Sequence, residues 1–226
     1  MKVIYEFFRC VGLISAWPLQ LLFFKRKTYY EDKRAQSRFV KGGALVISNH
    51  FHVYDFMMNL FLFPFRKLHV VYWSQDGQKQ SPFIKQGMKF FGGIASNRDA
   101  MSMSFIDESV KVLEKGGLVQ IYPEAHITLD GEMDHFKPSY VLIALRANVP
   151  IIPVMIDGNY GITKQSHVLI GKPIDLWDYC TSDDPTREEI EAMNELVYQR
   201  AAALRLELLR RIEEEKRPRR RKGETK

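Results

Sequence analysis

Cysteine is scarce in this chain. Cys10 and Cys180 are the only two. They make neither a metal-type spacing nor a disulfide framework, which fits a reducing compartment. Cys10 lies in an apolar stretch and Cys180 before a turn, so neither reads as a nucleophile. Long apolar runs are missing too. The longest uncharged stretch, Cys10 to Phe24, covers ~22 Å as a helix, short of the ~30 Å hydrocarbon core. Glu6 and Arg9 block its extension upstream, and Trp17-Pro18 is expected to interrupt it. It ends in Lys25-Arg26-Lys27 rather than a small-residue cleavage site, which argues against a signal peptide. No repeat and no serine nucleophile elbow is present, so a serine nucleophile is not expected.

With 226 residues the chain has room for one α/β domain with a sizeable core. Its net charge of +6 is unevenly spread. Residues 1–40 carry eight Lys/Arg against three Asp/Glu, and 216–226 carry seven against one. The body between is therefore acidic, which excludes a nucleic-acid groove. Two basic ends suit an anionic membrane face, where each nearby Lys or Arg contributes ~1 kcal/mol. Three parts are expected: a membrane-associating segment at 1–27, the domain at 28–215, and a disordered basic tail at 216–226. The first part reads as an interfacial or re-entrant anchor, with Trp17 and the basic cluster at headgroup depth. A helix packed on the domain is the alternative. The expected location is the cytoplasmic face of the cell membrane, peripheral or monotopic.

Apolar runs at Ala44–Ser48, Leu68–Trp73, Ile94–Ser96, Leu118–Tyr122 and Ile151–Ile156 predict strands, and Val168–Ile170 predicts an edge strand. Helices are predicted over Phe56–Phe63, from Ser81-Pro82 to Gly92-Gly93, over Asp99–Lys115 and over Pro138–Ala147. A last, long helix is expected to be capped by Asp184-Pro185, with the stripe Ile190, Met193, Val197, Ala201, Leu204, Leu208 and Ile212 facing the core. This alternation predicts an α/β fold: a mixed, mostly parallel sheet flanked by helices. In such sheets functional groups gather past the carboxyl ends of strands.

Asn49-His50 stands at one such end, and Asp55 follows as a helix begins. A carboxylate folded back on one imidazole nitrogen fixes the tautomer and raises the basicity of the other. His50 is then suited to take a proton from a hydroxyl attacking a thioester carbonyl. A rival reading takes His50-x-His52 with Asp55 as part of a metal-hydrolase box. His69, His126, His135 and His167 sit in no ligand motif that would complete it.

Asn49-His50-x4-Asp55 resembles the Asn-His-x4-Asp box of the glycerolipid (lysophosphatidic-acid type) acyltransferase family. Three more segments follow in that family's order. Gly92-Gly93-Ile94-Ala95-Ser96-Asn97-Arg98 resembles its second block, whose closing Arg holds the acceptor phosphate. Tyr122-Pro123-Glu124-Ala125-His126-Ile127 resembles the third, usually Pro-Glu-Gly-Thr-Arg. Val149-Pro150-Ile151-Ile152-Pro153-Val154 resembles the fourth. The resemblance implies His50 and Asp55 as catalytic residues, with Asn49, Arg98, Glu124 and Lys137 as substrate-binding candidates. Glu124 is expected to orient the acceptor, brace its loop or pair with Arg98. It implies acyl-CoA or acyl-ACP as the donor co-substrate and a lysophospholipid acceptor, most simply 1-acyl-glycerol-3-phosphate. No metal or further cofactor is implied. The partners expected are the bilayer and these substrates.

One departure stands out. Ala125-His126-Ile127 replaces Gly-Thr-Arg, which removes a bidentate phosphate ligand. Lys137 or His126 is left to help Arg98, or else the acceptor lacks a terminal phosphate. A catalytically silent membrane scaffold is a further alternative, against which the intact His50/Asp55 pair argues.

Overall fold

The computed structural model describes residues 2–63, 66–73, 82–96, 104–128 and 131–216. Seven strands form one sheet in the order β1-β7-β6-β2-β5-β3-β4. They are β1 (Lys27–Tyr30), β2 (Ala44–Ser48), β3 (Leu68–Trp73), β4 (Ile94–Ser96), β5 (Leu118–Ile121), β6 (Ile151–Ile156) and β7 (His167–Ile170). All neighbouring pairs are parallel except β6 with β7. The expected α/β class and the mixed, mostly parallel sheet are found.

β2, β5, β6 and β7 are buried at every position, because helices cover both faces. On one face lie α4 (Ser104–Glu114), α5 (Ser139–Ala147) and α6 (Arg187–Lys216), over a core of Leu45, Ile47, Ile121, Tyr140 and Met155. On the other lie α1 (Lys2–Phe24), α2 (Asp55–Leu60) and α3 (Pro82–Phe91), with Phe24, Met58, Val46, Leu118 and Ile152 packed together. Gly43 precedes β2 without a side chain because a Cβ there would run into the Leu113 carbonyl at the end of α4. Pro153 sits inside a central strand, where proline is rare. Its missing N–H falls where the β6–β7 ladder ends, and its carbonyl still accepts Gly171 N–H at 2.8 Å.

Several expectations are corrected. α1 runs through Pro18 without interruption. The carbonyl deprived of its partner belongs to Ile14, an exposed residue, so water can satisfy it. β7 is no edge strand: β1, unforeseen in the sequence, pairs on its outer side. α2 stops at Leu60, earlier than Phe63. α6 is capped by Thr186 and Glu189 rather than by Asp184-Pro185. Thr186 Oγ1 accepts Glu189 N–H at 3.2 Å, and Glu189 Oε2 accepts Thr186 N–H at 2.8 Å, a reciprocal capping box. The α6 stripe from Met193 to Ile212 is buried as expected, with Ile190 half-buried. The first turns expected for α4, from Asp99 to Met103, lie outside the described residues.

Candidate active site

β6, β2 and β5 are adjacent and parallel, so their carboxyl ends lie side by side. The chain leaves β2 through Asn49-His50, β5 through Tyr122-Pro123-Glu124 and β6 through Asp157 to Tyr160. Strand order alone thus brings the first and third blocks together.

Asn49 is fully buried. Its amide donates to the Ile156 carbonyl at 2.9 Å and accepts the Ile156 N–H at 2.9 Å. Both ends of the side chain are spent on the end of β6, which fixes where the backbone turns into His50. Asp55, at the first position of α2, is also fully buried. Its Oδ2 lies 2.9 Å from His50 Nδ1 and accepts the N–H groups of Phe51 at 2.7 Å and His52 at 2.8 Å. Its Oδ1 accepts the Tyr160 hydroxyl. An ionised carboxylate so surrounded assigns the imidazole proton to Nδ1 and leaves Nε2 as an acceptor. The His50 side chain keeps 18% exposure, whereas the Asp55 side chain has none. Tyr122 stacks flat on the imidazole, ring centres 4.0 Å apart and planes at 17°. Burial and the Asp55 charge push the Tyr122 hydroxyl well above its ordinary range, so it stays neutral.

Glu124 is 1% exposed. Its Oε1 accepts the His50 N–H at 3.2 Å, and its Oε2 accepts Asp134 N–H at 3.1 Å and the Thr128 hydroxyl at 3.4 Å. Thr128 closes the loop from the other side, its N–H donating to the His50 carbonyl at 2.9 Å. These contacts serve bracing, one of the roles expected of Glu124. Burial raises its carboxyl above the usual carboxylate range, and the donors from Asp134, His50 and Thr128 oppose that rise.

Ala125 follows with φ +60°, the left-handed conformation that glycine adopts freely. His126 is held at both ring nitrogens, Nδ1 against the Glu124 carbonyl at 2.9 Å and Nε2 against Asp134 at 3.3 Å. The Lys137 side chain is exposed, while its N–H donates to the Pro123 carbonyl at 2.9 Å. Arg98 lies outside the described residues. Exposed His52 stacks on Tyr54, ring centres 4.7 Å apart, and its Nδ1 accepts the Tyr54 N–H at 3.2 Å. Among the described residues no three His, Cys, Asp or Glu side chains gather as a metal would require.

Tyr122, Thr128 and Tyr160 are partners of this site that sequence reasoning missed as functional residues. Tyr122 and Thr128 flank Pro123-Glu124 closely enough for the third block to have pointed to them. Tyr160 carries no such signal, since only the strand order β6-β2 brings it to Asp55.

The sequence profile of the Acyltransferase family matches residues 25–157, more than half of the chain. The chain belongs to that family. Its fold is similar to the crystal structure of the 1-acyl-sn-glycerophosphate (LPA) acyltransferase PlsC from Thermotoga maritima. That match has a TM-score of 0.52 at 18% identity and covers 78% of this chain and 71% of that one. The match carries the α/β architecture, and family membership makes acyl transfer the class of chemistry of the chain.

Proposed function

We propose that this chain transfers a fatty acyl group from an acyl thioester, acyl-CoA or acyl-ACP, to a lysophospholipid hydroxyl, with 1-acyl-glycerol-3-phosphate as the acceptor. The observation that carries the reading is His50, oriented through Nδ1 by a buried carboxylate and with 18% of its side chain exposed. In the reaction Nε2 takes the proton as the acceptor oxygen attacks the thioester carbonyl. Asp55 stabilises the imidazolium that forms. The tetrahedral intermediate collapses, the carbon–sulfur bond breaks, and the proton on Nε2 passes to the departing thiolate. An ester and a free thiol are left. Asn49 and Glu124 act by position, holding the loop that carries His50. Arg98 binds the acceptor phosphate, assisted by Lys137. No metal takes part.

The site works at a membrane surface. Phe7, Phe8, Ile14, Leu21 and Leu22 of α1 are exposed, as are Phe39, Val53 and Met57. So many uncovered large apolar side chains suit a lipid face. No described helix is long and apolar enough to cross a membrane. In this reading docking is interfacial, with the basic tail adding attraction to anionic lipid. The altered third block favours a second reading, in which the acceptor carries a different headgroup with no terminal phosphate. Purified protein assayed with both donors against lysophosphatidate, glycerol 3-phosphate and headgroup-bearing lysolipids tests both. Transfer to lysophosphatidate above all others supports the first, and no transfer to any acceptor refutes acyl transfer altogether.

A further inference from the structure

We propose that Tyr160 is a positioning residue of the His50–Asp55 pair, a third member that locks the Asp55 carboxylate through its second oxygen. The assignment rests on the acyl-transfer reading above. Asp55 is fully buried, and its two oxygens have different work. Oδ2 serves His50 Nδ1 and the N–H groups of Phe51 and His52. Oδ1 faces the other way and is met by the Tyr160 hydroxyl. A buried carboxylate oxygen left without a donor is costly and leaves the group free to rotate. Rotation about the carboxylate bond would misalign the oxygen that holds Nδ1. Tyr160 blocks it from the opposite side of the pair.

The hydroxyl is itself fixed. Tyr160 lies in the loop between β6 and β7, and the last turn of α1 ties that loop down. Gly161 N–H donates to the Phe23 carbonyl at 3.1 Å, and Ser166 N–H donates to the Phe24 carbonyl at 2.9 Å. Phe24, 1% exposed, meets the Tyr160 ring edge-on, centroids 5.4 Å apart. His52 flanks the same ring at 5.9 Å. Burial and the Asp55 charge push the Tyr160 hydroxyl far above its ordinary range, so it remains a donor wherever the enzyme works. Segments from three parts of the chain thus converge on one carboxylate: the box that carries His50, the loop that carries Tyr160, and the end of α1. In consequence α1 does more than attach the protein, since its last turn holds the residue that holds Asp55.

Tyr160→Phe keeps the ring and its packing and removes only the hydroxyl. Its kcat for lysophosphatidate acylation is expected to fall about tenfold or more, with the KM values of donor and acceptor unchanged within about twofold. Because Tyr160 acts through Asp55, the double variant Asp55→Asn/Tyr160→Phe should be no slower than Asp55→Asn alone. A general structural role would instead multiply the two losses. A Tyr160→Phe enzyme as fast as wild type, or multiplied losses in the double variant, overturns the assignment while acyl transfer stands. Wild-type protein inactive with every acceptor and both donors overturns the acyl-transfer reading and this assignment with it.

Discussion

Glu124 Oε1 accepts the backbone N–H of His50 at 3.2 Å, so the third sequence block physically holds the first. The bond spans the ends of β5 and β2, neighbours in the sheet, and fixes the loop on which His50 sits. Glu124→Gln is a sharp probe of it. An amide oxygen can replace Oε1, but the NH2 group would then face the Asp134 N–H that Oε2 accepts. The variant should lose activity and show a lower Tm near neutral pH. The pH dependence follows from the raised carboxyl of Glu124. A folded-state value above the unfolded one means that its contribution is complete at low pH and is lost as pH rises through the folded value. Gln does not titrate, so the Tm difference between wild type and Glu124→Gln should shrink as pH rises from the ordinary carboxylate range toward neutrality. A difference that widens would reverse the assignment.

The histidines of the first block separate base from neighbour. His50→Ala should cost about a hundredfold or more in kcat with the fold intact, since the residue sits on a loop after β2. Asp55→Asn should approach that loss, because an amide cannot stabilise the imidazolium. His52→Ala should be mild, as that ring is exposed and stacks on Tyr54. Steady-state kinetics with circular dichroism on each variant checks this. Equal damage at His50 and His52 would favour a metal-binding box.

Ala125 explains part of the altered third block. At φ +60° an alanine costs about 1–2 kcal/mol, which glycine avoids at the expense of some unfolded-state entropy. Ala125→Gly should therefore stabilise the protein by about 0.5–1 kcal/mol, raising Tm by about 2 °C. A lower Tm on thermal melting would show that the Ala125 methyl makes packing contacts worth more than the strain.

The bounds of β6 were readable because Ile151–Ile156 is apolar throughout, as a strand covered on both faces must be. The α6 stripe was readable because its period is helical. β1 was not, since Lys-Thr-Tyr-Tyr is neither an apolar run nor a clean alternation, and it is a strand only because β7 offers an edge. The His50–Asp55 pair was readable because its members are five residues apart. Tyr160 was not, because 105 residues separate it from Asp55. The sequence places the cap of α6 two residues early because Asp184-Pro185 carries its own strong signal, whereas Thr186 and Glu189 satisfy two backbone donors at once.

Membrane attachment is best tested by substitution. Deleting α1 would uncover the core, since Gln20 and Phe24 are buried. Phe7→Ser/Ile14→Ser/Leu22→Gln changes exposed positions only. This triple variant should sediment less with anionic vesicles at unchanged Tm. Removing residues 217–226 should weaken binding at low salt and matter less at high salt, as screening requires. Undiminished, salt-insensitive binding by both variants would sink the interfacial docking proposed here.

The acceptor headgroup turns on counting cations near His50. A phosphate monoester carries close to two negative charges near neutral pH, and taking it out of water requires several donors or cations. Ile127 stands, half-buried, where the family's third block has Arg. His126 is committed at both nitrogens to its own loop, and the Lys137 side chain is exposed. In the reading proposed above, Arg98, closing the second block, is the principal ligand. Arg98→Ala should accordingly raise the KM for lysophosphatidate about tenfold or more while leaving the donor KM little changed. Ile127→Arg supplies a second guanidinium at the position the family uses and should leave lysophosphatidate turnover equal or improved. In the Arg98→Ala background it should recover part of the lost affinity, because the two would serve the same phosphate. Kinetics on the two single variants and the double decide the matter. If Arg98→Ala leaves lysophosphatidate kinetics untouched and a neutral-headgroup lysolipid is the better acceptor, the phosphate assignment is wrong and Ala125-His126-Ile127 marks a site shaped for a different headgroup.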